Sequence, residues 1–193
     1  KDADGKLVHV STDYVFDGKA DTPYRVAEPR NPIGAYGRTK AAGEKVIEGS
    51  GCEHIIARTS WLYAPWANNF VRTMARLTRE RDQLKVVSDQ RGRPTSAEQL
   101  ARTLVALVDA DGLGVFHVTD GGECSWYEFA CAIRDELGHA CQIEPCTTAE
   151  FPRPAPRPAY SVLDLARTEA LLGKMPDWRV NLADVLKRLE PLD

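Results

Sequence analysis

The sequence has no apolar run long enough to span a bilayer. Its longest, such as Leu104 to Val108, fall far short of the ~20 residues a membrane helix needs. It also lacks an opening leader of basic, then apolar, then small residues. There is no excess of one charge: 25 Lys and Arg stand against 28 Asp and Glu, with a formal net charge of −3, too balanced to grip a phosphate backbone. The five cysteines (Cys52, Cys124, Cys131, Cys141, Cys146) form no CxxC pair and are odd in number, which argues against a disulfide framework and against zinc. The four histidines are scattered, and His9 and His117 sit in apolar, strand-like segments where a packed imidazole is commoner than a ligand. These absences lead us to expect a cytoplasmic globular protein of one domain or two small ones, with no metal site and neither nucleic acid nor membrane as a partner.

What is present alternates strand and helix. Leu7 to Val10 reads as a buried strand ending in the polar run Ser11-Thr12-Asp13. A stretch rich in Gly, Pro and Asp follows, and Tyr36 to Ile47 then carries a helical pattern that Gly49 and Gly51 stop. Strands are expected at His54 to Arg58, Leu84 to Ser88 and Val115 to Val118. Helices are expected near Asn69 to Arg79, at Ala97 to Val108 and at Trp126 to Leu137. Beyond them, residues 152 to 158 read as a stiff proline-rich connector, before helical segments at Ala166 to Leu172 and Leu182 to Leu189. This order implies an α/β fold with a parallel sheet.

The chemistry concentrates at Tyr36-Gly37-Arg38-Thr39-Lys40, which sets a phenol and an ammonium on one helix face. Tyr and Lys at this spacing occur in many helices, so the pair gains its weight from context. A nearby positive charge favours the ionised phenol and moves it toward the neutral range where it can exchange protons. Thr12, delivered by the strand end, could hydrogen-bond a carbonyl oxygen under reduction. The carboxyl ends of strands are where open α/β sheets bind ligands.

The words around these residues are narrower still. Ser11-Thr12-Asp13-Tyr14-Val15-Phe16-Asp17-Gly18, Pro23-Tyr24, Glu28, Pro32 and Tyr36 to Lys40 with Gly43-Glu44 closely resemble the signature of the dTDP-4-dehydrorhamnose reductases, a family of extended short-chain dehydrogenases. The likeness continues through Arg58-Thr59-Ser60-Trp61, Asn69-Phe70, Asp89 to Thr95, Ser125-Trp126, and Arg157-Pro158 with Ser161 and Leu163. The resemblance implies hydride transfer from NADPH, or NADH, to C4 of dTDP-4-dehydro-L-rhamnose, a step in making cell-surface polysaccharide. Thr12, Tyr36 and Lys40 would be the catalytic residues. It places Ser11, Arg58 and Ser60 beside the cofactor with Tyr36 and Lys40. It places Asp13, Tyr14, Trp61, Asn69, Gln90 and Arg157 with Thr12 beside the dTDP-sugar. It leaves open magnesium at a subunit contact, a homodimer, and fusion to or association with the preceding epimerase of the pathway.

One feature departs from the family. No GxGxxG or GxxGxxG turn lies between a strand and a helix, so the pyrophosphate-holding front of the cofactor domain is expected to lie outside this chain. The expected architecture is therefore an incomplete Rossmann-type, doubly wound sheet (residues 1–61 and 100–120) with a smaller α/β substrate-binding domain (62–99 and 121–193). Two rival readings share parts of the pattern. A nucleotide-sugar epimerase or dehydratase has the same Tyr and Lys, but usually Val-Tyr-Gly where this chain has Val15-Phe16-Asp17. A non-catalytic regulatory subunit of methionine adenosyltransferase has the same general fold, but the intact Thr12, Tyr36 and Lys40 speak against it.

Overall fold

The computed structural model describes residues 5–152 and 154–189. In chain order the elements are β1 (Leu7–Thr12), α1 (Ala35–Gly49), β2 (His54–Thr59), β3 (Leu62–Tyr63), α2 (Phe70–Glu80), β4 (Gln83–Val87), β5 (Arg91–Gly92), β6 (Thr95–Ser96), α3 (Ala97–Asp109), β7 (Gly114–His117), β8 (Cys124–Ser125), α4 (Trp126–Glu136), β9 (Gln142–Cys146), α5 (Ala166–Leu172) and α6 (Trp178–Leu186). Within the proline-rich connector, Arg153 lies outside the described residues.

β1, β2 and β7 form a parallel sheet in that order, in register from Leu7 opposite His54 to Thr12 opposite Thr59, and from Ile55 opposite Gly114 to Arg58 opposite His117. β2 is central, and its Ile55, Ile56 and Ala57 are fully buried, as a strand covered on both faces requires. Alternation along the strand sends Ile55 and Ala57 into a cluster with Leu100, Leu107 and Phe116 of α3 and β7. It sends Arg58 the other way, onto Glu44 of α1. Helices thus cover opposite faces, the doubly wound arrangement expected.

β1 departs from the buried strand expected. Leu7, Val8 and Val10 are 43%, 37% and 39% exposed, whereas Ser11 and Thr12 are buried. Among the described residues β1 pairs on one side only, so its apolar side chains are not enclosed while its polar end is.

The second body is built on β4 and β9, paired in parallel from Gln83 opposite Gln142 to Val87 opposite Cys146. α4 packs on both strands and on α2 and α6. The core between them includes Val71, Val86, Phe129, Ile133, Ile143, Trp178 and Leu182; each large side chain taken from water contributes ~1.5–3 kcal/mol. Helix starts are fixed locally: Asn69 caps α2, and Ser125 with Glu128 forms a capping box on α4. The last helix begins at Trp178, earlier than its apolar pattern suggested, because Asp177 caps it.

α5 is tied to the three-stranded sheet. Thr168 Oγ1 donates to His117 O at 2.6 Å, and the Arg167 guanidinium donates to Leu113 O and Val115 O at 2.7 and 2.9 Å. Residues 166–172 therefore pack on β7 of the three-stranded sheet and on α3.

Candidate active site

The site starts where β1 ends. Thr12 caps a short 3-10 turn, Asp13–Val15: its Oγ1 accepts from Tyr14 N at 3.2 Å and donates to Asp13 Oδ1 at 3.0 Å. α1 leans directly on this turn. A Cβ at Gly37 would lie 2.1 Å from Tyr14 O, so only glycine permits the approach. The approach sets the Tyr36 ring edge-on to Tyr14, with centroids 5.9 Å apart at 74°. One helical turn on, Lys40 Nζ donates to Val10 O at 2.6 Å and lies 3.4 Å from His9 Nε2. Thr12, Tyr36 and Lys40 are thereby gathered at one strand end, with Tyr36 57% exposed to an incoming ligand.

The electrostatics follow from burial. Desolvation raises the Asp13 carboxyl to about 6, against the pull of the Ser161 and Thr12 hydroxyls. Burial and the neighbouring Asp13 push the Tyr14 phenol up. Burial and Lys40 together lower the His9 imidazole, so His9 is neutral and can accept from the Lys40 ammonium.

From Tyr14 a groove of ≈ 670 Å³ opens into the second body. Tyr14, Trp61, Gln90 and Arg157 line it together with Phe70, Met74, Leu84, Val86, Trp126 and Phe151, and Arg81 and Lys85 add cations. Trp61 holds φ at +48°, a conformation that costs a non-glycine residue energy and persists only where packing enforces it. Its ring stacks on Trp126 at 3.6 Å and 11°. On Gly92, a Cβ would come within 2.5 Å of that ring. Two aromatic faces are thus fixed beside an apolar groove that carries a few cations.

The residues expected from sequence divide into two sets. Thr12, Tyr36 and Lys40 meet at the strand end, and Tyr14, Trp61, Gln90 and Arg157 line the groove. Gln90 is buried and also donates to Thr148 Oγ1 at 2.9 Å. The others have their polar groups engaged within the protein. Ser11 donates to Glu44, and Arg58 donates to Glu44 at 2.7, 3.0 and 3.2 Å and to Val26 O at 3.1 Å. Ser60 donates to Arg93 O at 2.7 Å. The Asn69 amide accepts from Arg72 N and donates to Ala64 O, Trp66 O and Ala67 O. Ser11, Arg58, Ser60 and Asn69 are thus held by hydrogen bonds within the protein. His117 is a buried imidazole hydrogen-bonded to Asp164 O at 3.0 Å, lowered to about 3 by burial and by Arg58. The sequence reading missed Phe70, Arg81, Lys85 and Phe151 as groove residues and did not assign Trp126 to the site. Among the described residues no three His, Cys, Asp or Glu are grouped to hold a metal, and no helix is long and apolar enough to cross a membrane.

The chain is similar to known proteins along nearly its whole length. Residues 1–190 match the family described as RmlD substrate binding domain. The spore coat polysaccharide biosynthesis protein SpsK of Bacillus subtilis is 43% identical over 182 residues, covering 94% of this chain and 64% of that protein. A crystal structure of a dTDP-4-dehydrorhamnose reductase from Clostridium acetobutylicum superposes with a TM-score of 0.90 at 43% identity, covering 94% of this chain and 65% of that one. The corresponding reductase from Bacillus anthracis, solved in complex with NADP, gives 0.89 at 38% identity over 94% of this chain and 65% of that one. The chain thus spans just under two thirds of the length of these relatives. With Tyr36, Lys40 and Thr12 gathered at the strand end, and with a match running almost from end to end, this chain belongs to the RmlD substrate-binding domain family.

Proposed function

We propose that the chain carries the catalytic threonine, tyrosine and lysine of a reductase that converts the C4 ketone of dTDP-4-dehydro-L-rhamnose into the alcohol of dTDP-L-rhamnose. One observation carries the reading: the exposed phenol of Tyr36, with Lys40 one turn on, stands at the end of β1 where an aromatic and cationic groove begins. The groove volume, ≈ 670 Å³, falls in the range of small-molecule sites.

Tyr36 gives its proton to the carbonyl oxygen, and the Lys40 ammonium stabilises the phenolate left behind. The Thr12 hydroxyl, which rests on Asp13 Oδ1, turns to hydrogen-bond the same oxygen as charge builds on it. Trp61 lies along the sugar, and Arg157 meets the diphosphate with the planar donors that suit it. The exposed Tyr36 and the half-buried Lys40 fit the nicotinamide end of NADPH, which when bound supplies the hydride. The chain's sequence contains no glycine turn to hold the pyrophosphate end.

The test is consumption of NADPH by the natural protein with dTDP-4-dehydro-L-rhamnose. Turnover that Tyr36→Phe abolishes supports the reading; a folded protein that leaves both compounds untouched refutes it.

A further inference from the structure

Tyr36, Lys40 and Glu44 stand at i, i+4 and i+8, so they form one stripe along α1. The stripe meets the end of β1 step by step. Tyr36 touches Tyr14, Lys40 holds Val10 O at 2.6 Å, and Glu44 takes the hydroxyl of Ser11, the residue before Thr12. Glu44 is fully buried. Arg58, directly opposite Ser11 in the sheet, donates to both of its carboxylate oxygens. Arg30 bridges Glu44 at 3.0 Å and Glu48 at 2.8 Å, and Arg58 also reaches Val26 O and covers the Phe16 ring at 5.1 Å. One carboxylate thus ties together α1, β1, β2 and the loop that follows the Thr12 turn. Burial opposes its charge, but Arg58, Ser11 and Arg30 together hold it below the usual glutamate range.

We propose that Glu44 is a positioning residue for the reaction: through Ser11 and Arg58 it fixes the register of α1 on the ends of β1 and β2, and so the placement of Tyr36 and Lys40 relative to Thr12. Glu44 touches neither substrate nor cofactor in this account. Arg58 and Arg30 balance its charge where it anchors the helix. The proposal rests on the reductase reading above, since the reaction defines what is being positioned.

The experiment uses the natural full-length protein with two variants, Glu44→Gln and Ser11→Ala; the second removes one hydroxyl and keeps the ion pairs, so it folds even if the first does not. Activity is expressed per folded molecule, and 4-deuterated NADPH reports the hydride step. The expected result is a kcat at least tenfold lower for Glu44→Gln and severalfold lower for Ser11→Ala. KM for the sugar nucleotide should stay within about twofold, with a larger deuterium isotope effect. A lowered melting temperature with unchanged kcat, KM and isotope effect would mean a purely structural carboxylate and would overturn the proposal. If the wild type does not turn over, the reductase reading fails separately. The alkaline titration of Tyr36, isolated as the tyrosinate signal lost in Tyr36→Phe, then decides: an upward shift in Ser11→Ala supports the positioning role, and an unmoved titration contradicts it.

Discussion

The two halves of the site are built on different principles. At the end of β1, a few residues close in sequence meet through backbone: Thr12 caps its own turn, Gly37 presses α1 against Tyr14 O, and Lys40 reaches Val10 O. The groove is assembled from far-separated segments through side-chain surfaces, with Trp61 on Trp126, Gly92 behind Trp61, and Arg81, Lys85 and Arg157 from different loops and strands. The first half tolerates almost no displacement, and there the proposed chemistry lies. The second offers area and charge, and there recognition would lie. Substitutions in the first half should act on kcat and those in the second on KM.

Tyr36→Phe should have the largest effect. A positioned proton donor contributes typically 10²–10⁴-fold, so kcat should fall by at least ~100-fold. The melting temperature should barely change, because the side chain is 57% exposed; a Phe variant with near-normal kcat breaks the assignment of chemistry to this end. Gly37→Ala comes next. Its Cβ would meet Tyr14 O at 2.1 Å, and relieving such a clash costs ~1–3 kcal/mol and moves α1. Denaturant unfolding and steady-state kinetics should therefore both register it, whereas a variant with unaltered kcat would show that the close approach has no role in the chemistry.

Asp120 sharpens the comparison from outside both halves. It is fully buried, and it accepts from Ser96 N at 3.1 Å and Tyr63 Oη at 3.4 Å. Burial raises its carboxyl to about 7, against the pull of Ser96 N, Asn181 and Tyr63. Because the folded value lies above the unfolded one, the proton favours the fold. That stabilisation is complete below about pH 4 and is lost as pH rises through 7. By ~1.4 kcal/mol per unit over roughly three units it amounts to at most about 4 kcal/mol. Asp120→Asn should flatten the difference in unfolding free energy over this range, and an identical pH dependence in the variant would rule the group out.

The smallest effect belongs to Asn69→Ala. Loss of the α2 cap should cost ~1 kcal/mol while KM for the sugar nucleotide stays within about twofold, since its amide is engaged with the loop. A tenfold rise in KM would instead show Asn69 to be a ligand contact.

The same contrast explains what the sequence made legible. The strand, the turn and the α1 stripe were readable because period and spacing place residues that are near in sequence. Asn69 stood out as a polar residue in a recognisable word, yet sequence could not distinguish a cap from a ligand. That Glu44 lies against both Arg58 and Ser11 carries no signal in a linear pattern. β9 was missed: Gln142, Glu144 and Pro145 leave too little apolar alternation, and its pairing with β4 bridges more than fifty residues. Without that pairing, Arg81 and Lys85 had no groove to line. α5 read correctly as a helix, but its return to β7 depends on the contacts of Arg167 and Thr168, which carry no local signal.

The most direct test follows the hydride itself. The natural protein is incubated with 4-deuterated NADPH and dTDP-4-dehydro-L-rhamnose, and the product is read by mass and by NMR at each sugar carbon. The account predicts one deuterium, at C4, in the wild type, and incorporation at least ~100-fold slower in Tyr36→Phe. Deuterium at another carbon, or equal labelling in the Tyr36→Phe variant, would contradict it.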